Sequence, residues 1–316
     1  MKKKILSFIM AACMAAVSLT GCGGSKTEEF PEKLTFTYVT APLNVPTIIE
    51  KEKGIFASVF EDMGIDVEYA ELTSGADQTQ ALASGDVQVL YAVGASSVIL
   101  SAANGADIKV LNMYSRSPKA FCLYSQDGSI TSPEDLQDKT IAGPAGTNLH
   151  ELLVSYLATA DMTIEDVNYV NMTIPEAKAA LDGGSIDAAL IAGGAAYQAG
   201  QQGYHLITDG EGLIDAIIAV AVTDEFYNKY PEVIEKLTQA QKKIAKFIRE
   251  NEAEALEMTA SALDLEVDAV KDMYEYYLFS IEITEEDKQG FQKTADFMFE
   301  SGMIEKKLDV NTLFYE

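Results

Sequence analysis

Twice along this chain a short apolar strand leads into a helix and the helix into another strand, and that rhythm leaves few folds open. Residues 34–39, 65–70 and 87–93 are apolar, β-branched or aromatic runs of strand length, with helical patterning in 45–60 and 76–83 between them. A βαβαβ order predicts an α/β fold with a mostly parallel sheet and helices on its faces. The order then recurs. Ser132-Pro133-Glu134-Asp135 supplies a capping residue, a proline at the first helical position and an early acid, so a short helix starts there. A strand at 140–142, a helix at 149–158, a strand at 167–170, a helix at 175–181 and a strand at 188–192 follow. At a spacing of 99 residues Leu82 matches Leu181, Gly85 matches Gly184, Val87 matches Ile186 and Gly94 matches Gly193. The chain therefore reads as two similar βαβ lobes. Such sheets place ligands beyond the carboxyl ends of their strands, so the lobes present their strand-end loops across a shared central cleft.

From residue 223 onward the pattern turns helical. Pro231 opens a run whose apolar positions Val233, Leu237, Ala240, Ile244, Phe247 and Ile248 have amphipathic spacing. Further helices are expected at 252–263, 267–277, 285–300 and 311–314, with Lys242, Lys243, Glu252 and Glu254 on solvated faces. These helices lack glycine-rich turns and are expected to pack back on the first lobe. The resulting division is residues 33–117 plus 223–316 for lobe one and 118–222 for lobe two.

The N-terminus reads as an export signal: Met1-Lys2-Lys3-Lys4 is basic, 5–19 is apolar, and small residues follow. The stretch is too short and too poorly flanked to read as a membrane span. Leu19-Thr20-Gly21-Cys22 resembles the bacterial lipobox, which implies cleavage of residues 1–21, acylation of Cys22 and a lipid anchor on the outer face of the cell membrane. An ordinary signal or an uncleaved anchor is the alternative. Residues 22–32, rich in Gly, Ser, Thr and Glu, then form a tether. The whole chain has 23 Lys+Arg against 49 Asp+Glu, a net charge of −26. Residues 1–21 hold three lysines and no acid, so the exported body carries −29. That field excludes a nucleic-acid partner, and 48% hydrophobic residues exclude disorder. Cys13 leaves with the signal and Cys22 takes lipid, so Cys122 is left without a disulfide partner, a small hydrophobe in the apolar run 120–124.

Catalytic equipment is scarce. His150 and His205 have no metal-pair spacing, and the chain lacks CxxC, a phosphate loop, GxGxxG and GxSxG. Binding without turnover, with no cofactor and no metal, is the expectation. The strand-end loops are the candidates. Gly143-Pro144-Ala145-Gly146-Thr147-Asn148 leads into a helix that Thr147 can cap, leaving first-turn N–H groups from Gly146 to Leu149 for an anion. In the first lobe Thr40, Leu43 and Asn44, then Ser74 and Gly75, then Gly94, Ala95 and Ser96 sit at strand ends; in the second, Gly193, Gly194 and Tyr197 do. Each loop taken singly also fits an ordinary βα turn.

The segments "TAPLNVPTIIEKEKGIF", "ALASGDVQVLYAVGASS", "SPEDLQDKTIAGPAGTNLHELL" and "ALDGGSIDAALIAGGAA" resemble the substrate-binding proteins of ABC importers, in the group of sulfonate, taurine, nitrate and thiamine-precursor binders. The resemblance covers the mature chain and implies a type II periplasmic-binding-protein fold. It also implies a monomeric clamp that closes on a small molecule and delivers it to ABC permease subunits. The sulfonate-type aromatic or charged residue near the fifth loop is replaced by Gly193-Gly194-Ala195. Arg116, where the chain crosses between lobes, either pairs with a sulfonate or carboxylate or is a hinge residue bonded locally. If it lies outside the cleft, Tyr38, Tyr91, Tyr114 and Tyr197 favour a neutral or aromatic, pyrimidine-like ligand. An enzyme on the same two-lobe fold and a ligand-sensing surface lipoprotein remain as alternatives.

Overall fold

The computed structural model describes residues 30–72 and 74–315; the expected signal, Cys22, residues 22–29 of the tether and Thr73 lie outside them. The first run of elements is β1 (Lys33–Thr37), α1 (Val45–Lys53), α2 (Ile55–Phe60), β2 (Asp66–Ala70), α3 (Gly75–Ser84), β3 (Leu90–Gly94), α4 (Ala95–Ala103) and β4 (Lys109–Arg116). The second is β5 (Phe121–Ser125), β6 (Thr140–Gly143), α5 (Asn148–Ala158), β7 (Asn168–Asn171), α6 (Ile174–Asp182), β8 (Ala188–Ala192), α7 (Gly194–Gln201) and β9 (His205–Asp209). The chain ends with β10 (Ile217–Val222), α8 (Asp224–Lys229), α9 (Pro231–Glu250), α10 (Glu252–Leu263), α11 (Val267–Tyr274), β11 (Leu278–Phe279) and α12 (Glu285–Glu300).

Local chemistry sets the boundaries. The expected helix over 45–60 is two helices, broken at Gly54, which caps α1 in the left-handed conformation. Reciprocal capping boxes start α6 at Thr173 and Glu176 and α12 at Thr284 and Asp287. The same device at Ser132 and Asp135 opens only a single 3-10 turn over Pro133–Leu136.

Each lobe is built on one sheet, and the two sheets have matching order. The second reads β7-β6-β8-β5-β9, with β5 antiparallel to both neighbours. The first reads β11-β4-β10-β3, with β10 antiparallel to β3 and β4. The parallel pair β1 and β2 continues this sheet, because Thr37 N–H donates to Val89 O (3.0 Å) and Gln88 N–H to Thr35 O (3.0 Å), just ahead of β3. In both sheets the reversed strand is the one the chain enters on crossing from the other lobe. This corrects the expected boundary at residue 222: β10 belongs to the first sheet, between β3 and β4. All six of its residues are buried, so no alternation marks which sheet it joins.

The C-terminal helices mostly return to the first lobe, α9 on α1 and α2, α10 on α1, and α12 on α4. On α9, Val233, Leu237, Ile244 and Ile248 are buried, each worth roughly 2 kcal/mol of apolar burial. Helix α11 packs on α10, and also reaches α7 of the second lobe, which the sequence did not indicate.

Candidate ligand cleft

Loops after β1, β3 and β6 meet between the lobes around a cavity of about 90 Å³. Of the residues expected at the site, Asn44, Gly75, Gly94, Thr147 and Asn148 line it. None of its lining residues is ionisable, so any charged group it holds is met by dipoles. Larger hollows lie elsewhere; one of about 250 Å³ against α9, walled by Tyr91, Tyr114, Tyr274 and Phe279, draws on the first lobe and the C-terminal helices alone.

The lobes touch directly at the rim. Gly193 has φ 56° and ψ −132°, a region closed to side-chain-bearing residues, and a Cβ there would lie 1.8 Å from Pro42 O of the opposite lobe. A Cβ on Gly94 would lie 2.9 Å from Asn148 Oδ1. Ser97 Oγ donates to Gly146 O (2.8 Å), a third contact across the cleft.

Two buried amides are only half satisfied. Asn148 is 2% exposed; its Oδ1 lies 2.7 Å from Ser96 Oγ, while its Nδ2 has no partner among the described residues. Gln78, on α3, is 3% exposed; its Nε2 donates to Leu72 O (3.1 Å) and its Oε1 has no partner among the described residues. Both line the cleft, one from each lobe. An unmatched buried polar atom costs about 1–3 kcal/mol.

The expected nest of N–H donors is narrower than the sequence implied. Gly146 N–H donates to His150 Nδ1 (3.2 Å) and Leu149 N–H to the capping Thr147 Oγ1 (3.3 Å), which leaves Thr147 and Asn148 as its centre. His150 stacks on Tyr169 at 4.8 Å, and burial pushes its pKa down.

Several expected contacts fall outside the cavity. Leu43 and Ala95 are core residues, Thr40 uses its carbonyl to accept from Asn44 N–H (2.9 Å), and Ser74 caps α3. Asn44 itself spends its amide on Val39 O (2.8 Å) and Ala41 O (3.0 Å), holding the first loop. Ser96 is fully buried behind the cavity, and Gly194 begins α7 with Leu265 beside it. Tyr197 lines a separate hollow of about 160 Å³ with Tyr124 and Tyr277.

Arg116 takes the second of its two expected roles, bonded to nearby carbonyls and an acid. Its Nε donates to Asp287 Oδ1 (2.7 Å), Nη2 to Asp287 Oδ2 and to Glu282 O (2.8 Å), and Nη1 to Ser280 O (3.0 Å). The guanidinium therefore ties the β11–α12 connection to the end of β4. Burial would raise the Asp287 carboxyl, but Arg116 and the Thr284 N–H hold it below its usual range. The partner acid lies 171 residues away in sequence, beyond any local signal. The four tyrosines named with it also lie outside this cavity. Tyr91 and Tyr114 are core rings packed edge to face at 5.3 Å, and Tyr38 lies under Lys51 Nζ at 3.7 Å. Phe121 is the ring that lines the cleft.

Sequence reasoning missed Gln78, Phe121 and Ala92. Ala92 has φ 82° and is skipped in the pairing of β3 with β10, a bulge that turns its backbone to the cleft wall. Only Gln78, a polar residue on the first turn after a strand-end loop, carried a readable signal. Among the described residues no group of three or more His, Cys, Asp or Glu gathers to hold a metal.

Known proteins share this architecture. The chain is 26% identical over 297 residues to the putative aliphatic sulfonates-binding protein of Bacillus subtilis (strain 168), covering 92% of this chain and 89% of that one. It is 29% identical over 199 residues to the taurine-binding periplasmic protein of Escherichia coli (strain K12), covering 62% and 60%. The alkanesulfonate-binding protein SsuA from Xanthomonas axonopodis pv. citri, bound to MOPS, superposes with a TM-score of 0.82 at 19% identity over 90% of this chain and 98% of that one. The model of the family described as NMT1/THI5 like matches residues 42–255, and the chain belongs to that family.

Proposed function

We propose that this chain is the extracytoplasmic solute-binding component of an ABC importer and that its ligand is a small sulfonate or related oxyanion. The observation that carries the ligand is the pair of half-satisfied amides, Asn148 Nδ2 and Gln78 Oε1, contributed to one cavity by opposite lobes. Asn148 Nδ2 donates to an anionic oxygen, while Gln78 Oε1 accepts from the ammonium of a solute such as taurine, or from a water where the solute, like ethanesulfonate, has no donor. A solute bridging both lobes favours their contact by its differential affinity, and the permease recognises that state. A cavity of about 90 Å³ suits a compact solute, of the size of a two-carbon sulfonate. The relatives bearing sulfonate and taurine names support the class, and the lipobox-like Leu19-Thr20-Gly21-Cys22 supports a lipid-anchored monomer working beside its permease.

The test is calorimetry and thermal shift with ethanesulfonate, taurine and a pyrimidine precursor in sulfonate-free buffer. One-to-one binding of a sulfonate, weakened at least tenfold by Asn148→Ala, is expected. Binding of the pyrimidine alone, or of none of the three, overturns the assignment of the ligand class.

A further inference from the structure

Behind the cleft a chain of oxygens crosses from one lobe to the other. Glu151 on α5 is 4% exposed, and both its oxygens meet hydroxyls of the first-lobe side: Ser96 Oγ at 2.5 Å from Oε2 and Thr294 Oγ1 at 2.9 Å from Oε1. Ser96 Oγ also lies 2.7 Å from Asn148 Oδ1. A hydroxyl has one proton, and here two acceptors claim it. With Glu151 ionised, one short oxygen–oxygen contact would have no hydrogen in it. With Glu151 neutral every contact closes: Thr294 donates to Oε1, the carboxyl proton on Oε2 goes to Ser96 Oγ, and Ser96 donates to Asn148 Oδ1. That arrangement leaves Nδ2 as the unpartnered end of Asn148, a residue that lines the cavity. Ionised Glu151 accepts the Ser96 proton instead, and Ser96 Oγ then requires a donor from Asn148. The amide must rotate by half a turn and present Oδ1, an acceptor, to the cavity.

We propose that Glu151 is a positioning residue that sets which end of the Asn148 amide faces the cleft, so that an anionic solute is bound together with one proton. The inference rests on the reading of this cleft as a solute site. The balance is one proton from bulk water, one anion and the protein giving one complex. The proton need not pass the ligand, because Glu151 also lines an outer hollow of about 530 Å³.

The groups around the carboxyl agree. From α12, Lys293, Asp296 and Glu300 line that hollow, and Asp215 lines it from the segment before β10; Lys293 and Asp215 pair at 3.6 Å, which leaves the acids Asp296 and Glu300 in excess there. Helix α4 carries no ionisable side chain, and the sheet beneath α5 presents Phe121, Leu123 and Leu190. Burial is the main influence and raises the Glu151 pKa, with Asp215 acting in the same direction; Ser96, Thr294 and Lys293 oppose it. His150, the preceding residue on α5, is the competing titratable group and is controlled for below.

The experiment is calorimetric titration of the full chain, in detergent, with ethanesulfonate from pH 5 to 8, in cacodylate and bis-tris buffers. Affinity is expected to fall by about tenfold or more across that range, with net proton uptake read from the difference between buffers. Glu151→Gln keeps a donor toward Ser96 and an acceptor for Thr294, so its affinity is expected to stay near the low-pH wild-type value, without a pH slope or proton uptake. Wild-type binding with flat affinity and no proton exchange overturns the proposal and leaves the solute reading intact. A pH slope that survives in Glu151→Gln also overturns it, placing the proton elsewhere, with His150 the first alternative. Absence of ethanesulfonate binding at every pH overturns the ligand class and the proposal together. If Glu151→Gln does not fold, His150→Gln decides: a pH slope and proton uptake kept in that variant leave Glu151 as the titrating group, and their loss overturns the proposal.

Discussion

Gly193→Ala separates what holds the lobes together from what holds each lobe folded. A Cβ at residue 193 would meet Pro42 O at 1.8 Å, against 3.4–4 Å for an ordinary contact, so Pro42 and Gly193 must part by more than an ångström. The obstacle is a backbone carbonyl, with no side chain to swing aside, so the upper end of the overpacking range applies, about 3 kcal/mol. This cost falls on the contacted arrangement alone and converts to affinity about 100-fold weaker for a solute that needs it. A second cost, about 1–3 kcal/mol for an alanine at φ 56° and ψ −132°, falls on the folded second lobe in any arrangement, offset by up to about 1 kcal/mol from the stiffer unfolded chain. Calorimetry with ethanesulfonate reads the first effect, urea unfolding without solute reads the second, and small-angle scattering shows whether the solute still compacts the molecule. Gly194→Ala is the control, because a Cβ there meets only Leu265 Cδ1 at 3.4 Å. Wild-type affinity in Gly193→Ala, or an equal loss in Gly194→Ala, would refute the argument.

Three further outcomes are expected. Arg116→Ala leaves the 4% exposed Asp287 carboxylate without its guanidinium, so unfolding free energy should drop by about 3 kcal/mol while ethanesulfonate affinity stays within about twofold; a large affinity loss would return Arg116 to the site. Glu50 is buried, with Oε1 accepting from Phe56 N–H (3.0 Å) and Tyr69 OH (2.8 Å) and Oε2 unpartnered among the described residues, and burial raises its pKa from 4.5 to about 7. Its neutral form belongs to the fold, so stability present below pH about 4.5 declines as pH rises toward 7, by up to about 3 kcal/mol; Glu50→Gln should abolish that part of the loss in urea unfolding at pH 5 and 8. Cys122 is 6% exposed and burial pushes its thiol up to about 12, so iodoacetamide at pH 8 should label it only after unfolding; rapid labelling of the native protein would contradict the packing.

The sequence made the lobes visible because a βαβ unit writes itself in contiguous residues. Strand 188–192, the helix opened by Pro231 and the loop 143–148 all fall where periodicity and capping chemistry put them. What escaped depends on residues distant in the chain. Nothing near Ile217 shows that it pairs with Arg116, and nothing near Arg116 shows that Asp287 holds it. The cleft divides in the same way. Gly94, Gly193 and Asn148 could be picked out because close approach and helix starts have local signatures. Leu43, Ala95 and Ser96 share those signatures and yet face inward, because a strand-end loop has two sides. Ala92 left no trace, since its role comes from a bulge in the backbone and not from its side chain.

The exchange of strands between lobes has a consequence for how this molecule can be taken apart. Arg116 and Ile217 are opposite partners on adjacent antiparallel strands, so β4 and β10 form a hairpin, and the whole second lobe is its loop. Deleting residues 117–216 and closing the gap with a two-residue Asn-Gly turn should leave the first sheet complete. The excised piece is contiguous and carries all five strands of its own sheet. Cutting the chain once, before residue 217, does the opposite: it spares the second lobe and leaves β3 and β4 as two raw edges with no strand between them. The second lobe is an insertion that can be lifted out, and the first is a host that must be rejoined.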